Sequence, residues 1–288
     1  MRAPTQTDLA GVVEDVRRAG IKLDTPRLLH HGSSIVLGDG TSVVRITEED
    51  TAQAEENIGR AHALGASRAP VLEPSHDRPL PTRLGTATVW PQGRPAPDAI
   101  RNLGKVLADL HRVDDLVIPP RTQSRNDLRR RLRELSGIGV EENLLGQLMT
   151  LAARLPEEIS WAGNTRSLVH GDAHTGNIIW HEGRVLLLDI STIGMGEPFT
   201  DMVPAWCAAR RGNRGRALWS EFHEGYGDQA SLLYEWEHLE EAVLERELLT
   251  TIFLAEQWQT RAWVREEVAT RVESWDRPDD GPRWNTGE

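Results

Sequence analysis

The sequence predicts an α+β protein in two lobes: a mostly β N-terminal lobe carrying one main helix, and a larger helical C-terminal lobe. Three observations carry this expectation. Short β-prone runs separated by turn residues crowd the first 90 positions. The stretch Pro91-Gln92-Gly93-Arg94-Pro95-Ala96-Pro97 then breaks regular structure, and nearly everything after it shows the 3.6-residue apolar period of helices. A chain of 288 residues also sits where single hydrophobic cores stop growing, so two lobes fit its size.

Residues 6–19 read as a short amphipathic helix with Leu9, Val12, Val13 and Val16 on one side. Strands are expected over 28–31, 35–37 and 42–46. His30-His31-Gly32-Ser33-Ser34 links the first two, and Gly38-Asp39-Gly40 between the last two is a hairpin signal whose residues tolerate positive φ. A helix over 49–64, ended by Gly65, precedes strands over 69–72 and 86–90. Residues 91–97 read as the hinge between an N-terminal lobe of 1–90 and a C-terminal lobe of 98–275, with 276–288 as a tail. Helices are expected near 98–112, 125–136, 141–154, 200–210, 215–226 and 231–273, the last long enough to be two packed helices or one bent one. A β-hairpin, 178–180 against 184–188, interrupts this helical series.

Composition excludes several classes of function. Cys207 is the single cysteine, so thiolate metal clusters and internal disulfides are out and a reducing compartment is expected. No apolar run approaches 18 residues and the N-terminal stretch is polar, which leaves a cytoplasmic protein with no membrane partner as the expectation. The net charge is −11, repelling a phosphate backbone and arguing against nucleic acid. That charge is uneven: 11 basic and 12 acidic residues up to position 94, then 22 and 32. A cleft focused by the second field would favour a cationic small molecule, although solvated acidic helix faces explain the same count. Only Lys22 and Lys105 among the 33 basic residues are lysine, so arginine is expected where other proteins use lysine.

Chemistry concentrates in SLVHGDAHTGNIIWHEGRVLLLDISTIGMGEP, residues 167–198. Pairing across His181-Glu182-Gly183 would bring Asn177 and Asp189 to one end of the hairpin, as hard oxygen ligands of the kind Mg²⁺ takes beside substrate phosphates. Asp172 precedes Asn177 by five residues on the same loop, and an Asp beside a metal-bound phosphate can orient and deprotonate an attacking hydroxyl.

His170-Gly171-Asp172-Ala173-His174-Thr175-Gly176-Asn177 resembles the HxDxxxxN catalytic loop of the aminoglycoside phosphotransferase and choline kinase superfamily, small-molecule kinases with a protein-kinase-like fold. Asp189, twelve residues past Asn177, resembles that family's metal-binding Asp, and Gly196-Glu197-Pro198 with Asp201 is similar to its GDPxxD segment. Gly225-Tyr226-Gly227 and 246–251, RELLTT, look like C-terminal segments of bacterial members. The resemblance implies ATP, with GTP as the alternative, and Mg²⁺ as cofactors. It implies Asp172 as catalytic base, Asn177 and Asp189 as metal ligands, and Gly32, Ser33 and Ser34 as the loop over the phosphates. Arg45 stands where these kinases place a lysine on the α and β phosphates, a departure in fork geometry. Of the helix acids that could hold Arg45, periodicity favours Glu55 over Glu56. Adenine would bond backbone near Trp90 and Gln92, since Pro91 has no N–H. His170 is expected to scaffold the loop and Asp201 to anchor it. Ile190 and Ser191 depart from the aromatic and the small or acidic residue common after the metal-binding Asp.

The resemblance implies phosphoryl transfer to a hydroxyl of a small molecule. An aminoglycoside or other amino sugar leads on the charge of the second part; a choline-like alcohol or a plain sugar is the alternative acceptor. A non-catalytic nucleotide-binding scaffold on the same fold competes through Arg45 and Ile190-Ser191. A metal phosphoesterase competes through the Gly-Asp-x-His string, but lacks the downstream ligand motifs. P-loop and dinucleotide glycine fingerprints are absent.

Overall fold

A computed structural model describes residues 4–32, 34–114, 125–156, 167–259, 261–277 and 281–285. In chain order the elements are α1 (Gln6–Arg18), β1 (Arg27–His31), β2 (Ile35–Gly38), β3 (Ser42–Thr47), α2 (Thr51–Ala66), β4 (Leu80–Thr82), β5 (Gly85–Pro91), α3 (Ala99–His111), α4 (Arg125–Gly137) and α5 (Glu142–Ala152). They continue with β6 (Ser167–Val169), β7 (Ile178–His181), β8 (Arg184–Leu187), β9 (Gly194–Gly196), α6 (Phe199–Arg211), α7 (Arg216–Tyr226), α8 (Leu239–Ala255) and α9 (Ala262–Glu273). Short 3₁₀ turns cover Thr175–Asn177, Ile190–Thr192 and Asp228–Glu235. The chain divides into two compact units: one runs to Ala99 and includes Gly176–Thr192, the other holds Ile100–Arg112, the stretch from α4 to Thr175 and everything from Ile193.

The first unit is built on an antiparallel sheet of order β1-β2-β3-β5-β4. Side chains alternate between faces with period two, so Ile35, Leu37, Val44, Ile46, Ala87 and Val89 form one apolar layer, onto which Val12 and Val16 of α1 pack. Arg45, between Val44 and Ile46, therefore projects from the opposite face, with Val36 and Thr88 as its cross-strand neighbours. Thr5 caps α1 through a reciprocal box with Asp8, and Asp50 caps α2 by accepting from the Gln53 N–H at 2.8 Å.

Residues 69–72, expected as a strand, form instead an isolated parallel bridge of Val71 with Leu187. Pro70 has no N–H and can only accept, as it does from Leu187, so the ladder stops after one pair. β4 escapes a sequence reading because Pro81 sits inside it, a residue tolerated only at a sheet edge. The β7–β8 ribbon, expected within the helical part, clusters with the first unit through this bridge and through mutual Arg94–Trp180 backbone bonds. Gly93 makes that approach feasible, since a Cβ there would lie 2.7 Å from the Trp180 carbonyl oxygen.

The second unit is helical apart from the β6–β9 pair. Leu128, Leu132, Leu135, Leu148, Leu248, Ile252 and Trp258 fill one core with Val264, Val268 and Trp275. The span 231–273 resolves into a 3₁₀ turn and two packed helices, α8 and α9. Trp284, expected in the tail, is buried in the same core, with its indole N–H donating to the Ser274 hydroxyl at 2.9 Å. Cys207 is buried and free, and burial pushes its thiol up.

Candidate active site

In the second unit, β6 runs into His170, which is fully buried, and then Gly171 and Asp172, which are half-buried. Asp201, in the first turn of α6 and 1% exposed, accepts from the backbone N–H of His170 at 2.6 Å and of Gly171 at 2.7 Å. Gly171 adopts φ 87°, a left-handed conformation that suits glycine and lets consecutive N–H groups converge on one carboxylate. The other side of Asp201 is held by His111, whose Nε2 lies 3.1 Å from Oδ2 while its Nδ1 lies 2.7 Å from the Tyr226 hydroxyl. A carboxylate only accepts, so His111 donates to Asp201 from Nε2. Burial alone would raise the Asp201 carboxyl, but the His111 bond and charge, the nearby His170 and the Gly171 N–H outweigh it and hold Asp201 below the ordinary carboxylate value. Burial raises the Tyr226 hydroxyl, helped by Asp201, so it stays a donor.

His170 is fully buried, and its Nδ1 accepts the Asp172 N–H at 3.2 Å. The Asp172 carboxylate turns outward, where Arg246 of α8 donates to Oδ1 at 2.8 Å and His174 Nε2 lies 3.8 Å from Oδ2. Burial works to raise Asp172, while Arg246, His174 and His170 prevail and lower it. Asp172 is thus a positioned, ionised acceptor.

In the first unit, the Leu188 N–H donates to the Asn177 carbonyl at 2.8 Å, closing the β7–β8 ribbon and setting Asn177 and Asp189 at the same end. Asp189 leaves β8 with φ 49°, a left-handed conformation that Asp reaches more readily than most side chains. Its Oδ1 accepts from the Ser191 hydroxyl at 3.0 Å and lies 3.6 Å from Arg45 Nη1. Ser191, a departure from the family pattern, therefore orients the expected metal ligand. The two charged side chains are 35% and 41% exposed.

Glu55 does not hold Arg45. The inward face of α2 is Ala54, Ile58, Ala61 and Leu64, which turns Glu55 more than a right angle from the core, and it is exposed. Glu56 lies 3.9 Å from Arg60, and Arg45 faces Asp189 instead. The Gly32 N–H donates to the Ser34 carbonyl at 3.0 Å and Ser34 is buried, whereas Ser33 lies outside the described residues. The Gln92 N–H is committed to the Thr41 carbonyl at 2.7 Å and its side-chain oxygen to the Gly40 N–H, so this amide is not free to meet a base. Trp90 pairs with Val43 across the sheet and its indole N–H donates to the Thr88 hydroxyl.

Asn177 and Asp189 supply two hard oxygen donors at one ribbon end. That set fits Mg²⁺, which completes its shell with phosphates and water. Among the described residues, no group of three or more His, Cys, Asp or Glu is placed to hold a metal. The structure adds Arg246, His111 and Tyr226 to the residues that shape the site. Tyr226 and Arg246 lie in GYG and RELLTT, segments visible in the sequence, but their partners are 115 and 74 positions away.

The profile of the phosphotransferase enzyme family matches residues 34–242. No curated protein matches the sequence significantly. Solved structures share the fold at low identity. The amicoumacin kinase hAmiN, in complex with AMP-PNP, Ca²⁺ and Ami, is 14% identical with a TM-score of 0.64, covering 98% of this chain and 99% of its own. The spectinomycin phosphotransferase APH(9)-Ia, in complex with ADP and spectinomycin, is 14% identical with a TM-score of 0.63, covering 97% and 100%. A choline/ethanolamine kinase family protein from Mesorhizobium loti is 17% identical with a TM-score of 0.61, covering 95% of each chain.

Proposed function

We propose, because the chain belongs to the phosphotransferase enzyme family, that it transfers the γ-phosphoryl group of ATP, with GTP as the alternative donor, to a hydroxyl of a small molecule. The observation that carries this reading is Asp172: an ionised carboxylate on a loop clamped by the buried Asp201, five residues before Asn177. In the reaction the acceptor oxygen bonds to the γ-phosphorus as the bond to the β-bridging oxygen breaks. ADP leaves, and the hydroxyl proton passes to the Asp172 carboxylate.

The transition state is loose, so positioning and charge neutralisation supply most of the catalysis. Asp172 accepts the hydroxyl and orients its lone pair. Asn177 and Asp189 would hold Mg²⁺, which when bound neutralises the phosphate oxygens. Arg45 would exchange its contact with Asp189 for phosphate oxygens. Nucleotides in the structures of similar fold, AMP-PNP and ADP, support a nucleoside phosphate donor. No described helix is long and apolar enough to cross a membrane, and a cytoplasmic location belongs to the same reading.

The acceptor is a hydroxylated compound, for which the negative charge of residues 95–288 puts an amino sugar first and the side chains around Asp172 favour another class, taken up below. The test is Mg²⁺-dependent ADP release with amino sugars, plain sugars and amino alcohols, with Asp172→Ala as background. Release by the natural chain alone is expected. Failure to bind ATP or GTP by calorimetry would sink the kinase reading in favour of a scaffold.

A further inference from the structure

The side chains available to an acceptor are set by α8 and its neighbours. Successive residues of a helix point about 100° apart, and on α8 this separates Arg246, which reaches Asp172, from Glu247, which is 2% exposed and faces Arg211. A cavity of about 130 Å³ opens beside them, lined by His174 and Thr175 of the loop, by Arg246 and by Trp284. Its other charged lining residues are Arg211, Arg271 and Glu247. Both Glu247 oxygens are taken by Arg211, at 2.8 and 2.9 Å, so this carboxylate cannot receive an ammonium group without releasing a buried arginine. Arg271 donates to Glu267 at 2.7 Å, and the guanidinium groups of Arg211 and Arg271 lie 4.2 and 5.1 Å from the Trp284 ring centre.

The cavity beside His174 and Arg246 is therefore lined by three arginines and by apolar side chains such as Ile100, Leu103 and Pro204, the reverse of what a polyamine needs. The acidic excess of the second half lies elsewhere, as at Glu237, Glu240 and Glu241, whose side chains are 85%, 77% and 44% exposed. An ammonium group beside the reacting hydroxyl would meet Arg246 at a distance where like charges repel appreciably even in a partly hydrated site.

We infer that Arg246 is a specificity-determining residue. It holds the Asp172 carboxylate and selects an uncharged, hydroxyl-rich acceptor with an apolar face, of the hexose or aryl hexoside type, over a cationic amino sugar. This rests on the kinase reading above. Arg246 acts here by position and charge: it keeps Asp172 directed and discourages a second cation at the same carboxylate, while Ile100, Leu103 and Pro204 give the cavity its apolar lining.

Matched acceptors isolate the effect: glucose against glucosamine, and phenyl β-glucoside against kanamycin, each read as kcat/KM for ADP release. The natural chain should favour the uncharged member of each pair by about tenfold or more. Arg246→Gln should cut that preference about tenfold, chiefly through KM of the amine, and Arg246→Lys should keep it within about threefold. A merely structural arginine would lower both members of a pair equally. Should Arg246→Gln fail to fold, the preference of the natural chain and of Arg246→Lys still decides. Better use of glucosamine or kanamycin, or a preference unmoved by Arg246→Gln, overturns the inference and leaves the kinase standing. ATP binding with no ADP from any of the four also overturns this acceptor class, whereas absence of nucleotide binding overturns the kinase reading itself.

Discussion

The residues before and after Thr175 hold their functional side chains on contrasting plans. Before it, His170 and Gly171 are tied to a buried Asp201 that is itself bonded to His111 and, through it, to Tyr226. After it, Asn177 and Asp189 are placed by backbone pairing of the β7–β8 ribbon, and the Asp189–Arg45 contact is half exposed. A buried, satisfied network is costly to rearrange, so the carboxylate proposed to meet the hydroxyl is set before any ligand arrives. An exposed ion pair is worth little by itself and gives way easily to phosphate and metal. The difference teaches which groups this chain preorganises and which it leaves to be completed by the nucleotide.

The largest effect should come from Asp172→Ala, which lowers kcat by about 10² to 10⁴ with nucleotide affinity nearly unchanged, checked by turnover and calorimetry. Next, Asp201→Ala should cost about 3 kcal/mol in urea unfolding, because it orphans the loop N–H groups and leaves His111 without its acceptor. This penalty depends on pH with a definite sign. The folded carboxyl lies below its ordinary 3.8, so its contribution is full above about pH 4 and lost as the pH falls through the folded value. The gap between natural chain and variant should narrow in acid; a gap that widens would break the contrast drawn here. Asp189→Asn, which tolerates the same left-handed backbone, should abolish Mg²⁺-dependent turnover yet change unfolding stability by no more than about 0.5 kcal/mol. A large stability loss there would mean that the ribbon end is as preorganised as the loop. Smallest of all, Arg45→Lys should shift ATP affinity by about threefold or less, since charge is kept and only the fork is lost.

Local patterns made most elements legible. Alternation and hairpin residues announced β2, β3, β7 and β8, and the 3.6-residue period announced α3, α5, α6 and α7, because both depend on neighbours along the chain. The three-residue strands β4, β6 and β9 carried too few residues to show a period, and they exist through pairing with distant partners. His170 as a scaffold and Asp201 as an anchor were expected from the order of residues in a known loop pattern; in the structure the Asp172 N–H donates to His170, and the N–H groups of His170 and Gly171 donate to Asp201. Glu55 was misplaced because α2 faces its core through Ala54, Ile58, Ala61 and Leu64, a face rotated from the one the period count assumed.

By itself the sequence determined the order of elements, the loop that carries Asp172 and the ribbon that sets Asn177 beside Asp189. These follow from short-range backbone preferences and from residue types at close spacing. Only the tertiary structure decided which charges meet: Arg45 with Asp189, Arg246 with Asp172, Glu247 with Arg211, and His111 with Asp201. Such pairs join residues 36 to 144 positions apart, and Coulomb attraction acts on distance in space, which the packing of helices and strands creates and a one-dimensional pattern does not contain.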